Sequence, residues 1–241
     1  MIPAVVRRYV ERALGGARGP QPERVRVGQD GEMWLKPGGR ALLFEAVEDF
    51  AVAEVAFEWR ARFKPAGFLR VVDRYAAGEG VLEARLLGLL PVMRQKGPEL
   101  AVSEALRYLA ELVWAPHAMV ANRRLEWRKL DEQHLEVATH VGPTRAAVRL
   151  ELDADGDIVG ARVDDRPRAE GKQVARRPWV GSFGDYAVVD GIRLPTHGEV
   201  RWELPGGPFT YWRGAIRSIE VTPKDEAGLG RSDEAGAPGR A

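Results

Sequence analysis

The chain has 241 residues, 45% of them hydrophobic, and its 36 basic residues nearly balance its 35 acidic residues. A chain of this size can bury one substantial core, so we expect a single domain. The formal net charge is +1 and neither sign forms a long block, which argues against a nucleic-acid partner. The lack of cysteine excludes disulfides and thiolate metal sites, and no apolar run is long enough for a membrane-spanning helix.

The first predicted element is a helix over residues 2–14. Val6, Val10 and Leu14 recur one turn apart on one face, and two glycines follow the helix. Three arginines within this segment interrupt the apolar stretch that an export signal would need. We therefore expect a soluble, cytoplasmic protein.

After a linker rich in glycine and proline, alternating sequence predicts a first block of strands. The clearest strand is 57–63, in which Phe57, Trp59, Ala61 and Phe63 alternate with charged residues. The other strands of this block are predicted at 25–27, 33–35, 42–47, 69–75 and 81–87, with turns at 29–31, 37–39 and 78–80.

Residues 97–116 predict a single strongly amphipathic helix in the middle of the chain. Pro98 suits the first helical position, and Pro116 is expected to end the run after Ala115. The apolar stripe of this helix consists of Leu106, Leu109, Ala110, Val113 and Trp114. This face must be buried.

The polar face of the same helix leaves two interpretations open. Arg107 and Glu111 lie one turn apart, which is typical of a solvated helix face. Alternatively, the helix lies inside the concavity of the sheet, and these charges meet Asp73, Arg166 or the head group of a ligand.

A second block of strands is predicted after the helix, at 125–130, 135–141, 146–152, 158–163, 186–189, 192–194, 200–204 and 209–221. Residues 222–241 contain almost no large apolar residue, so we expect a disordered tail after a domain of residues 1–221. The combined pattern predicts an α+β fold. We expect a curved antiparallel sheet or open half-barrel of about ten strands that encloses the central helix, with the N-terminal helix outside.

Three motifs have simpler explanations than the sites they resemble. Asp153–Asp157 resembles a calcium loop, but Ile158 stands where the sharp turn needs glycine. Gly181–Gly184 resembles a nucleophile elbow, but a strand follows where a helix is required. Two His-x-Glu pairs on strands, starting at His134 and His197, are better explained as surface residues. We therefore assign no metal, no cofactor and no catalytic residue.

Three stretches together resemble an uncharacterised bacterial family classed as a domain of unknown function. They are Arg107-Tyr108-Leu109-Ala110-Glu111 with Trp114 and Pro116; Leu125-Glu126-Trp127; and Asp190-Gly191-Ile192-Arg193-Leu194-Pro195 before Gly198-Glu199-Val200-Arg201-Trp202. This resemblance extends over about residues 3–221 and implies no assigned activity. The layout is also similar, more distantly, to the lipoprotein-carrier half-barrels of the bacterial periplasm.

The preferred hypothesis is that the concavity binds an apolar or amphipathic small molecule. Candidate walls are Trp59, Trp114, Trp127 and Trp202, and candidate contacts for the head group are Arg107, Glu111 and Arg166. One alternative is a hydrolase or isomerase, which would show a carboxylic acid with a strongly raised pKa beside a histidine or arginine. The other is a protein-binding module with a filled interior and a large exposed apolar patch.

Overall fold

Within the part of the chain that the structure describes, thirteen strands form one antiparallel sheet. The computed structural model describes residues 1–16, 21–65, 67–171 and 173–224. The strands are β1 (Pro22–Met33), β2 (Leu42–Ala51), β3 (Phe57–Phe63), β4 (Leu69–Ala76), β5 (Glu79–Leu86), β6 (Leu90–Lys96), β7 (Glu126–Lys129), β8 (His134–Val141), β9 (Thr144–Leu152), β10 (Ile158–Glu170), β11 (Gln173–Val189), β12 (Ile192–Leu204) and β13 (Gly207–Pro223). The helices are α1 (Ala4–Ala13), α2 (Pro98–Glu111) and α3 (Pro116–Ala121), with a 3-10 turn at Leu112–Trp114.

Consecutive strands are neighbours throughout the sheet, except where β1 pairs with β13 and joins the two strand blocks. The sheet therefore has two arms, which end at β6 and β7. Helix α2 lies between the arms, in contact with β4, β5 and β6 on one side and with β8, β9 and β10 on the other. Helix α1 packs against α3 and β12. The predicted curved antiparallel half-barrel with a central helix is confirmed.

The core fills the space between α2 and the sheet. Phe57, Trp59, Ala61 and Phe63 are buried, because strand alternation directs all four to one face of β3. The whole apolar stripe of α2 and the following 3-10 turn is also buried. Aromatic side chains therefore occupy much of the concavity.

Four features of the fold differ from the sequence predictions. The sheet has thirteen strands rather than about ten, partly because β6 is an exposed edge strand whose sequence does not alternate. The predicted turn at 29–31 is wrong, because β1 continues through it to Met33. Strands β10 and β11 extend much further than predicted, and their arginine-rich, proline-containing sequence has the composition of a loop. Pro116 begins α3 instead of ending the helical region.

The end of the last strand also lies beyond the predicted boundary. β13 runs to Pro223, two residues past Val221, and pairs there with Pro22 of β1. Residues 225–241 of the predicted tail lie outside the described residues. No helix in the described ranges is long and apolar enough to span a membrane.

Candidate functional site

Arg107 of α2 points into the half-barrel and binds three acidic side chains. Its Nη2 donates to Glu48 Oε1 at 2.9 Å, its Nη1 to Asp73 Oδ2 at 2.7 Å and its Nε to Glu111 Oε1 at 2.9 Å. Only 15% of the Arg107 side chain is exposed. The polar face of α2 is therefore internal, and the interpretation as a solvated helix face is wrong.

The strands beneath α2 hold this arginine through a chain of hydrogen bonds. Glu48 of β2 is fully buried, and its Oε2 accepts a hydrogen bond from Gln29 Nε2 at 2.9 Å. Trp59 Nε1 in turn donates to Gln29 Oε1 at 3.0 Å. The Arg107 guanidinium also lies over the rings of Phe57 and Trp59, at 4.8 and 5.3 Å from the ring centroids. The negatively polarised faces of both rings attract the guanidinium cation.

Arg166 of β10 forms a second cationic centre against α2. Its Nε donates to Ser103 Oγ and its Nη2 to the Ser103 carbonyl oxygen, both at 3.1 Å. The guanidinium lies over Trp179 at 4.4 Å and Trp202 at 5.5 Å from the ring centroids. Its Nη1 is buried and has no hydrogen-bond partner among the described residues. A buried donor without an acceptor costs free energy unless something binds it.

Glu104 of α2 connects the two cationic centres electrostatically. Its Oε2 and the Oδ1 of Asp73 are buried and have no partner within the described ranges. Burial and the neighbouring Asp73 carboxylate raise the pKa of Glu104 well above its ordinary value, although Arg166 and Arg107 act in the opposite direction. A proton held by Glu104 satisfies an otherwise unpaired oxygen.

The ionic cluster is therefore a set of two arginines and four carboxylic acids: Glu48, Asp73, Glu104, Arg107, Glu111 and Arg166. Burial and the nearby Glu111 carboxylate also raise the pKa of Glu48 well above its ordinary value. Burial lowers the pKa of Arg107, but the carboxylates around it more than compensate and raise it.

The structure brings together five of the seven side chains expected at a site. Trp59 and Glu111 contact Arg107 of the ionic cluster, and Trp202 contacts Arg166 of the same cluster. The remaining two lie elsewhere. Trp114 packs against Phe183 and Trp212, and the half-buried Trp127 donates its Nε1 to the Met119 carbonyl.

Sequence reasoning missed Glu48 and Glu104, although the chain carries a signal for each. Glu104 lies three residues before Arg107, so the two side chains share a helix face. Glu48 alternates with Phe44, Ala46 and Phe50, which places it on the buried face of β2.

The calcium-like motif after β9 has another role. Asp157 forms ion pairs with Arg12 and Arg193, both at 2.6 Å, and Asp153 Oδ1 accepts hydrogen bonds from the backbone of a tight turn. Arg193 and Arg12 lower the pKa of Asp157, although burial opposes this shift. Among the described residues, no group of three or more acidic or histidine side chains could hold a metal ion.

The chain belongs to DUF6544, a family of unknown function whose sequence profile matches residues 1–214. The resemblance to an uncharacterised family is thereby confirmed. No curated protein sequence is significantly similar to this chain.

Several solved structures share the general arrangement of the sheet. A LolA superfamily protein of Nitrosomonas europaea is 11% identical over 91% of this chain and 94% of its own, with a TM-score of 0.46. A Vibrio parahaemolyticus domain described as an outer membrane lipoprotein-sorting protein is 10% identical over 95% and 94%, with a TM-score of 0.48. A DUF1329 family protein of Desulfovibrio piger is 12% identical over 93% and 95%, with a TM-score of 0.45. At these identities the likeness concerns the fold alone.

Proposed function

We propose that this DUF6544 member binds an amphipathic small molecule inside its half-barrel, with the polar end of the molecule at the ionic cluster. One observation carries the proposal: among aromatic side chains of the interior, the buried Nη1 of Arg166 has no hydrogen-bond partner within the described residues. Asp73 and Glu104 also have an unpartnered oxygen each, but a proton on Glu104 can be shared between these two acids. A few convergent polar groups among apolar side chains are typical of a ligand site.

The charges around these atoms restrict the chemistry of the ligand. Arg107 already contacts three acidic side chains, so this residue is a poor anchor for an anionic head group. Arg166 has the unpartnered donor, whereas Asp73 and Glu104 can share the proton of Glu104. A head group with a hydrogen-bond acceptor, such as a hydroxyl, an amide or a carboxylic acid, satisfies the Arg166 donor.

Binding also requires the packed interior to rearrange. Arg107, Trp59 and Trp202 are packed in the interior, so a ligand must displace α2 or the side chains beneath it. The contact between α2 and the strands is partly ionic, and replacing apolar packing with buried charge does not in general strengthen an interface.

Titration with 11-(dansylamino)undecanoic acid, an amphiphile with a fluorescent apolar end, tests this proposal. We expect saturable binding to the wild type. Arg166→Met should weaken binding at least about tenfold, or roughly 1.4 kcal/mol, because the free donor is lost. Arg176→Met is the matched control, because Arg176 lies on the same hairpin but is exposed and pairs with Glu99.

Thermal unfolding of both variants separates a binding defect from a folding defect. Native mass spectrometry of the purified wild type provides a second measurement, since a tightly held ligand should co-purify. Absence of saturable probe binding together with absence of any co-purified molecule would contradict the proposal.

A second candidate function is acid–base catalysis in the same cluster. Its supporting observation is the raised pKa of Glu104 beside Arg166, the feature expected of a hydrolase or isomerase. If a co-purified molecule is chemically converted by the wild type but not by Glu104→Gln, this enzymatic function replaces simple binding. Unchanged ligand after prolonged incubation favours the binding protein.

A further inference from the structure

Large exposed apolar side chains are concentrated at one end of the sheet and along its β6 edge. We call this set the apolar rim: Leu35, Leu43, Leu86, Leu87, Leu89, Leu90, Val92 and Met93. The strand register places the hairpins that carry these residues at the same end of the sheet, since Leu86 of β5 pairs with Leu69 of β4. Phe63 of β3 pairs with both Leu69 and Phe44 of β2. Exposed apolar patches of this kind mark surfaces that bind something.

The tip of the β5–β6 hairpin is held in a backbone conformation that leucine rarely adopts. Leu87 has φ 51° and is followed by Gly88 at φ 73°. Asn, Asp or Gly would adopt this turn with little strain, whereas leucine costs free energy. Leu87 is nevertheless 67% exposed and Leu89 is 78% exposed, so neither contributes much to the core. The advantage of leucine at this tip must therefore come from a contact outside the chain.

The hairpins of the rim carry basic residues and no acidic residue. The three segments are 34–43, 64–70 and 84–94, and their basic residues are Lys36, Arg40, Lys64, Arg70, Arg85 and Arg94. Glu45 pairs with Lys64, and Glu83 pairs with both Arg85 and Arg94. Lys36, Arg40 and Arg70 form no ion pair within the described ranges. The rim therefore presents uncompensated positive charge beside its leucines.

One of these cations lies directly beneath the leucine tip. A Cβ added at Gly88 would come within 2.9 Å of the Arg70 guanidinium carbon, so the two are in close contact. The backbone N–H of Leu87 also donates to the Phe68 carbonyl at 2.6 Å, which ties the β5–β6 tip to the β3–β4 hairpin. The apolar tip and the positively charged side chain of Arg70 thus form one structural unit.

We propose that the apolar rim docks on an anionic lipid bilayer. Leu87 and Leu89 insert among the acyl chains, while Arg70 and the other free cations contact the head groups. A bilayer presents apolar chains under a negatively charged surface, which complements both features of the rim. This proposal is independent of the ligand proposed for the interior.

The β6 edge is a poor surface for a second copy of the chain. Pro91 lacks the N–H that an added strand would need, and a register irregularity lies opposite it at Ala84 and Arg85. Both features block the extension of a sheet across its edge.

Single-site fluorescence labelling tests the proposal, and the lack of native cysteine makes the labelling specific. Leu87→Cys and Val188→Cys are each labelled with the polarity-sensitive dye NBD in the full chain. Val188 is the matched control, because it is also 67% exposed and precedes a hairpin turn at the opposite end of the sheet. Each protein is mixed with vesicles of phosphatidylcholine alone or with an equal amount of phosphatidylglycerol.

We expect a blue shift and an intensity increase at position 87 with the anionic vesicles. The change should be much smaller with phosphatidylcholine alone and should diminish as salt is added, because the attraction is partly electrostatic. Position 188 should remain unchanged. No change at position 87, or an equal change at both positions, overturns the proposal.

Vesicle flotation of unlabelled variants provides an independent measurement. Leu87→Ser combined with Leu89→Ser should lower vesicle affinity at least about tenfold. Val188→Ser combined with Val221→Ser, two exposed apolar residues at the opposite end of the sheet, should leave the affinity unchanged. Sedimentation velocity is run on the same proteins. If the leucine variant dissociates an oligomer and leaves vesicle binding intact, the rim is an interface between chains and the membrane proposal is wrong.

Discussion

Glu104 is a buried acid whose ionised form the surrounding structure disfavours. Burial and the Asp73 carboxylate raise its pKa in the folded protein above the unfolded value near 4.3. The stability that Glu104 contributes is therefore fully present below the unfolded pKa. It is lost as the pH rises through the raised folded pKa, because ionisation leaves a poorly compensated charge in the interior.

Glu104→Gln should remove this pH dependence, because an amide resembles the neutral acid in shape and polarity. We expect the variant to be about 1–3 kcal/mol more stable than the wild type at pH 8, the range for removing a poorly paired buried charge. The stabilities of the two proteins should become equal near pH 4. Urea melts across this range measure the effect, and Glu79→Gln on the exposed start of β5 is the control. Parallel pH profiles for the wild type and Glu104→Gln would show that Glu104 is not protonated in the fold.

Helix α2 approaches strand β5 so closely that a side chain at Gly80 would press against the backbone of the helix. A Cβ on Gly80 would lie 3.0 Å from the Ala101 backbone and 3.1 Å from the Leu100 carbonyl carbon. These neighbours are backbone atoms, which cannot move aside by changing rotamer. The first turn of α2 must therefore shift if position 80 acquires a side chain.

Gly80→Ala should destabilise the protein by about 1–3 kcal/mol, the usual cost of overpacking. Gly184→Ala is the matched control, because Gly184 also lies in a strand but has open space where its Cβ would be. We expect this control to change stability by no more than a few tenths of a kcal/mol. Urea midpoints and slopes compare the two variants. Equal effects at both positions would mean that α2 is not held tightly against β5.

On the scale of the whole molecule, α2 bridges two arms of the sheet, which in the described residues pair with each other between β1 and β13. The strands β6 and β7 are the opposite edges of the sheet, and α2 contacts strands from both arms. Disordering either arm therefore exposes one side of the same helix. This arrangement makes separate unfolding of the arms unfavourable.

We expect one cooperative unfolding transition, with a calorimetric enthalpy close to the van't Hoff enthalpy. Differential scanning calorimetry measures both quantities from the same scan. Gly80→Ala should lower the midpoint of this transition without splitting it. A second transition in the wild type would indicate that β3–β6 unfold independently of the remaining strands.

The sequence by itself determined the features that depend on a few neighbouring residues. Alternation over 57–63 correctly identified the buried face of β3, and the apolar stripe that ends at Trp114 correctly located α2. Both patterns are local, because a strand repeats every two residues and a helix every 3.6. Edge strand β6 was missed because a strand with little buried surface has no such alternation.

Only the tertiary structure decided which way the polar face of α2 points. The sequence alone suggests that Arg107 is a surface residue, because Glu111 lies one helical turn away and can form an ordinary charge pair with it. Its other partners come from distant strands: Asp73 is 34 positions away in the chain, and Glu48 is 59 positions away. No local pattern encodes their meeting, since it results from the curvature of the sheet around the helix. The ionic cluster therefore exists only where the folded half-barrel brings these residues together.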